Sequence, residues 1–143
     1  MIAIDIDGTL MRSTGVQISQ RNREALLAAE AASIEIVIAT GRRQAYAMPL
    51  ITQLGLSAKS VMISSNGAVV RGFDGTLIQR RFLPASTART LCGELRGFGT
   101  LVFTFDREGP GALVIEDVER LHARMERWVE ANRPYLRELH PIE

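Results

Sequence analysis

Two aspartates two residues apart, Asp5 and Asp7, carry the most legible chemistry in this sequence. They close a short run of β-branched residues, Ile2, Ile4 and Ile6, and Gly8 follows at once. Side chains on an extended chain repeat every two residues, so Asp5 and Asp7 fall on one side and Ile4 and Ile6 on the other. A buried strand carries two carboxylates only at its end, where the sheet opens into a crevice. Open α/β sheets bind their ligands there. Gly8 lets the backbone turn sharply and approach an anion closely. The stretch reads as a strand delivering a carboxylate pair to a site.

The elements that must position this pair follow in order. Residues 2–6 form the first strand, and 8–18 a polar loop containing Gly8, Ser13, Thr14 and Gly15. Ser19 is an N-cap for a helix over 20–32, rich in the helix formers Ala, Leu, Glu and Arg. A second strand, 34–39, stops at Thr40-Gly41-Arg42. Tyr46, Leu50 and Leu54 then recur at helical spacing, with a break expected near residues 47–48 because Pro49 lacks the N–H a helix interior needs. A third strand, 60–64, stops at Ser65-Asn66-Gly67. Strand and helix alternate, which implies βαβ units, a parallel sheet and right-handed crossovers. All three strand ends then share one edge, which brings Asp5, Asp7, Thr40 and Asn66 together.

After residue 67 the pattern changes. Segments 68–71 and 76–82 flank a turn at Asp74-Gly75 and read as a hairpin. Pro84 opens a helix over 85–97 with Leu91, Leu95 and Phe98 facing inward. Strands at 101–105 and 112–115 follow. Asp117 caps a helix over 118–132 with Leu121, Met125, Trp128 and Val129 inside, and Pro134 ends it. This half reads as antiparallel α+β. The fold class expected is therefore α/β: a partial three-layer, Rossmann-like parallel core over 1–67, and a partial α+β cap over 68–143 inserted after the third strand.

Composition limits the function classes. The chain has 143 residues, 46% hydrophobic and 23% charged, with 17 basic and 16 acidic side chains for a net charge of +1. Nothing in that balance asks for nucleic acid or a membrane surface. A single cysteine, Cys92, excludes an intramolecular disulfide, and no Cys/His cluster spells a zinc site. No apolar run reaches the ~20 residues of a membrane span. The chain opens in a strand with no basic-then-apolar leader, so a cytoplasmic setting is expected.

The motifs together resemble a known family. Asp5-Ile6-Asp7-Gly8-Thr9 resembles the first motif, DxDGT, of the haloacid dehalogenase-like (HAD) phosphatases. Thr40-Gly41-Arg42 is similar to their second motif. Ser64-Ser65-Asn66-Gly67-Ala68 resembles the strand-three segment of the Cof-type branch (subfamily IIB), which carries an α/β cap there. The resemblance implies a Mg²⁺-dependent phosphatase acting on small phosphomonoesters such as sugar phosphates. Asp5 is then the nucleophile and a metal ligand, giving an aspartyl-phosphate. Asp7 is the general acid/base and also a metal ligand, through its backbone carbonyl. N–H groups around Gly8 and Thr9, the Thr40 hydroxyl and the Gly41 N–H hold the phosphoryl oxygens, and Arg42 and Asn66 are candidate substrate contacts.

Each residue also has a plainer reading. Asp5 and Asp7 fit a solvated strand end, Thr40-Gly41 an N-cap and turn, and Asn66-Gly67 an ordinary turn pair. Arg42 and Arg43 fit surface charges, and Arg71, Arg80 and Arg81 are expected to face solvent. His122 and His140 are isolated and read as non-catalytic, and Cys92 as buried and inert. The family also carries a later Lys or Arg motif and an acidic GDxxxD motif, and this sequence contains neither. The expectation is a chain truncated within the cap and inactive alone, with its first strand an exposed edge open to self-association. Two other functions compete. One is a catalytically incomplete phosphate-binding or oligomerising module. The other is a phosphotransferase of the sugar-phosphate mutase kind, which shares the first motif.

Overall fold

A computed structural model describes residues 1–12 and 17–142. The loop expected over 8–18 is therefore described only at its two ends; Ser13, Thr14 and Gly15 lie outside the described residues. The chain divides into two compact units, Met1–Phe82 and Leu83–Glu143.

The first unit is built on a five-stranded sheet in the order β1 (Ile2–Asp5), β2 (Ile36–Ala39), β3 (Val61–Ser64), β4 (Val69–Gly72), β5 (Leu77–Arg80). The first three strands pair in parallel and the last two add antiparallel. Helix α1 (Gln20–Ala31) links β1 to β2, and α2 (Gln44–Ile51) links β2 to β3. Ile36, Ile38 and Met62 point to one face of the sheet, where Leu26 of α1 and Ala47, Leu50 and Ile51 of α2 cover them. Ile6, Leu10 and Met11 complete that core. The residues between them in register, Val37, Ala39, Val61 and Ile63, are half-buried on the other face. Among the described residues β1 is an edge strand, paired to β2 alone, with Met1 80% exposed.

Local chemistry explains the element ends. The Ser19 side chain accepts the Asn22 N–H at 3.2 Å, satisfying one of the orphan donors that open α1. The expected break at Pro49 does not occur: α2 runs through it. Pro49 is the sixth residue of an eight-residue helix, so its missing N–H removes only one late intrahelical bond. The helix then tightens into a 3₁₀ turn, Thr52–Leu54, closed by Gly55 at φ 73°.

The Glu30 carboxylate ties α1 to the segment before β3. It accepts the Ser57 N–H and hydroxyl and the Ser60 hydroxyl at 2.8–3.1 Å. The Ser57 hydrogen bonds hold its pKa below the ordinary 4.5. A carboxylate whose folded pKa is depressed stabilises the fold above the unfolded value, and that stability is lost as pH falls through the folded one. Glu30→Gln is thus expected to lower the urea midpoint at neutral pH and to flatten its decline below pH 4.5. Equal acid slopes for both proteins would contradict this.

The hairpin β4–β5 turns at Asp74-Gly75, where Asp74 accepts both the N–H and the hydroxyl of Thr76. Its register on β3, Val61 opposite Gly72 and Ser64 opposite Val69, makes it part of the first sheet. The compact units accordingly meet between Phe82 and Leu83, whereas the sequence pattern changes at Gly67.

The second unit contains α3 (Ala85–Leu95), a three-stranded sheet in the order β6 (Val102–Thr104), β7 (Leu113–Ile115), β8 (Leu136–Glu138), and α4 (Glu126–Asn132). Several expectations are corrected here. β6 pairs with β7 antiparallel, but β8, unforeseen in the sequence, pairs with β7 in parallel. Leu95 and Phe98 are 46% and 89% exposed, so they do not form an inner face; Leu91 is half-buried and Cys92 is buried. The helix expected over 118–132 begins only at Glu126. Asp117 instead accepts the Glu119 N–H in a local turn, a competing use of an Asp side chain. Leu121, Met125, Trp128 and Val129 are half-buried, while Ala112, Leu113 and Ile115 are buried. Glu116 is also buried, at 1% exposure, and pairs with Arg96 at 2.9 Å, which holds its pKa down.

Candidate active site

The three parallel strand ends share one edge, as their alternation with helices requires. Asp5 stands opposite Ala39, and Ala39 opposite Ile63, so Thr40 and Ser64 follow side by side. Thr40 donates its N–H to Ile63 O at 2.9 Å, and Ser65 donates to Arg42 O at 2.9 Å. Backbone hydrogen bonds thus stitch the loop after β2 to the loop after β3. Asp5, Asp7 and Thr9 are exposed at this edge, and the Thr40 side chain is buried behind it.

The turn after β1 is internally bonded. Leu10 N–H reaches Asp5 O, Met11 N–H reaches Ile6 O, and Gly8 N–H reaches Met11 O, all within 3.1 Å. Gly8 has φ 82°, a conformation that costs a side-chain-bearing residue roughly 1–2 kcal/mol. Asn22 of α1 donates to Leu10 O at 2.9 Å and braces the turn from below. The Gly8 N–H serves the turn itself.

Gly41 lies close under the Asn66 side chain. A Cβ on it would stand 2.8 Å from Asn66 Oδ1. Asn66 belongs to three consecutive residues in the left-handed region, Ser65 (φ 52°), Asn66 (φ 55°) and Gly67 (φ 91°). Two non-glycine residues in succession there store strain, a feature that concentrates at functional sites. Asn66 is exposed, so the edge has a polar amide directly over Gly41.

Arg42 makes the most specific contact of the site. Its Nε donates to Asp7 Oδ2 at 2.8 Å and its Nη2 to Asp7 Oδ1 at 2.5 Å, a two-pronged pair that occupies both carboxylate oxygens. The Asp7 side chain is 53% exposed and Arg42 23%. Asp7 pushes the Arg42 pKa up, which keeps the guanidinium charged. The guanidinium carbon also lies 5.3 Å from the Tyr46 ring centroid. Tyr46 recurs at helical spacing with Leu50 and Leu54. Those two are buried, but Tyr46 sits at the open start of α2 and stands 37% exposed against Arg42. The signal in the sequence was its place four residues after Arg42, at the site end of the helix.

The match to a family model for haloacid dehalogenase-like hydrolases runs over residues 2–132. The chain belongs to this family. It is 43% identical to phosphatase YwpJ of Bacillus subtilis over 77 residues, 54% of this chain and 26% of that protein. It is 37% identical over 83 residues, 58% of this chain and 32% of the relative, to 5-amino-6-(5-phospho-D-ribitylamino)uracil phosphatase YcsE of the same organism. Among solved structures, a haloacid dehalogenase-like hydrolase from B. subtilis superposes with a TM-score of 0.67 at 30% identity, over 92% of this chain and 45% of that one. A HAD superfamily phosphatase from Bacteroides thetaiotaomicron gives 0.70 at 26%, over 98% and 46%. The chain therefore spans about a quarter to a third of these curated relatives and about half of these solved structures. The α/β fold with a parallel-containing sheet is the fold of these family members.

Proposed function

We propose that the residues at this edge serve a Cof-type phosphatase that hydrolyses small phosphomonoesters through an aspartyl-phosphate on Asp5. The observation that carries the proposal is the convergence of Asp5, Asp7, Thr40 and Arg42 at one strand edge in a chain belonging to this hydrolase family. The names of the relatives support phosphate esters as substrates.

In this reading an Asp5 carboxylate oxygen attacks phosphorus, and the bond from phosphorus to the leaving oxygen breaks. Asp7, in its acid form, gives that oxygen its proton. Asp7 then takes a proton from water as the water attacks phosphorus. The bond between Asp5 and phosphorus breaks, releasing inorganic phosphate and restoring the Asp5 carboxylate and the acid form of Asp7. The Thr40 hydroxyl, which accepts the Arg42 N–H at 3.1 Å, still has a proton to donate to a phosphoryl oxygen. Thr9 and Gly41 N–H groups complete the cradle.

The donor set suits Mg²⁺. Asp5 and Asp7 present hard oxygen atoms, and although no group of three His, Cys, Asp or Glu side chains converges among the described residues, Mg²⁺ keeps several waters and needs only one or two carboxylates. The Asp5 carboxylate and the Asp7 backbone carbonyl would hold it. Bound there, it would supply positive charge that offsets the repulsion between the attacking carboxylate and a phosphate.

The test is transfer of a radiolabelled phosphoryl group from an aryl phosphate, with Mg²⁺ present. Label that resides on Asp5 and is released by hydroxylamine supports the reading. Turnover without a labelled chain overturns it, and phosphate binding without turnover points to the binding-module alternative. Self-association through the β1 edge is proposed on the same footing, from a strand paired on one side only. A chain that sediments as a monomer at high concentration rules it out. Among the described residues no helix is long and apolar enough to cross a membrane.

A further inference from the structure

We propose that Arg42 is a displaceable counter-ion: its guanidinium closes on Asp7 while the site is empty and swings to a phosphate group that enters beside Thr40. The inference rests on the phosphatase reading, since it concerns the same site.

Three observations carry it. First, the pair is closed on both sides of the carboxylate. With Nε on Oδ2 and Nη2 on Oδ1, Arg42 takes one acceptor site on each carboxylate oxygen and fixes the orientation of the group. A carboxyl that must turn first to a leaving group and then to a water is freer to do so once the arginine fork lets go.

Second, only the Arg42 side chain is free to move. Its backbone is fixed at both ends of the residue. The N–H donates to Thr40 Oγ1 at 3.1 Å, and the carbonyl accepts from Ser65 at 2.9 Å. The Thr40 hydroxyl is thus directly beside the pivot about which the guanidinium turns. A phosphate held at Thr40 lies within the sweep of that side chain, and its planar fork suits phosphate as well as carboxylate.

Third, release does not strand the cation. The Tyr46 ring centroid lies 5.3 Å from the guanidinium carbon and gives the cation a second partner besides Asp7. The cost of leaving Asp7 is also small, because the pair is solvent-exposed on the Asp7 side, and exposed pairs are weak. A doubly charged phosphate offers more than one carboxylate does. Arg42 therefore acts as a positioning residue for Asp7 and a binding residue for phosphate, and Tyr46 keeps it within reach of both.

The test is a double-substitution cycle read by binding of inorganic phosphate to the 143-residue chain, without turnover. The proteins are wild type, Asp7→Asn, Arg42→Met and the double variant. Asp7→Asn frees Arg42 and is expected to tighten phosphate binding about fivefold, the size of an exposed ion pair. Arg42→Met is expected to weaken it about tenfold. In the Arg42→Met background the gain from Asp7→Asn should shrink below about twofold. A mere loss of negative charge would give the same gain in both backgrounds, and that result overturns the proposal. In parallel, the Arg42 Nε–H resonance, assigned by its absence in Arg42→Met, should shift on phosphate addition in wild type. A resonance that stays fixed while phosphate binds also overturns it. Phosphate bound by wild type with an additive cycle sinks the displaceable pair alone. No binding by any of the four proteins sinks the phosphatase reading with it.

Discussion

Asp5→Asn is expected to lower the rate of phosphate release from an aryl phosphate by at least about 10³-fold, with no radiolabel retained on the chain. The substitution keeps the shape of the side chain and removes the oxygen nucleophile. Asp5 closes β1, and its position opposite Ala39 depends on backbone hydrogen bonds that the change leaves alone. Loss of rate is then a loss of chemistry, and unchanged thermal unfolding would confirm that. Asp7→Asn separates the two roles. An aryl leaving group departs without much help from an acid, so the first step survives, but the attacking water loses its base. The rate should fall by about 10²–10⁴-fold while labelled chain accumulates. Equal loss of label in both variants would refute the division of labour. Because the solved family members it matches are about twice as long and the 143 residues alone are expected to be inactive, these fold-changes refer to a chain of the family's full length.

Ile38→Ala is expected to cost about 3–4 kcal/mol of the first unit's stability, read from urea unfolding. Ile38 is fully buried at the centre of β2, in register with Ile4 on one side and Met62 on the other. It supports both helices, since Leu26 of α1 and Ile51 of α2 belong to the same core. A domain of this size holds only about 5–15 kcal/mol in total, so the variant should be half-unfolded at mild denaturant. Val37→Ala, one residue away on the half-buried face, should cost about 1 kcal/mol or less. Similar costs for the two would mean that the helices do not concentrate the packing on the Ile38 face. Because the site is formed by the ends of the same strands, Ile38→Ala should also weaken phosphate binding where it leaves the chain folded.

How much was legible in the sequence depended on the range of the interactions. Strand β1, helix α1 and the strand-to-glycine stops are local patterns of alternation, helix formers and turn residues, and these appear where the sequence places them. The shared edge of Asp5, Asp7, Thr40 and Asn66 follows from topology alone, because parallel strands joined by right-handed crossovers align their ends. The second unit was less readable. Short elements with few buried residues leave propensity to be overridden, so Asp117 went into a local turn and residues 118–125 stayed out of the helix. Strand β8 has no pattern of its own and exists because β7 offers it a hydrogen-bonding edge.

The sequence by itself determined which groups reach the edge: two carboxylates and a threonine. Their order along alternating strands and helices leaves few other places for them. Only the tertiary structure decided how these groups are paired. Arg42 lies 35 residues from Asp7, yet its fork fits both carboxylate oxygens. Tyr46 is at core spacing, yet it covers the guanidinium. Gly41 lies under the amide of Asn66, which is held in a left-handed turn, so a Cβ there would displace that side chain. Side-chain periodicity specifies a face, but contacts between distant loops depend on the sheet register that brings them within hydrogen-bonding distance.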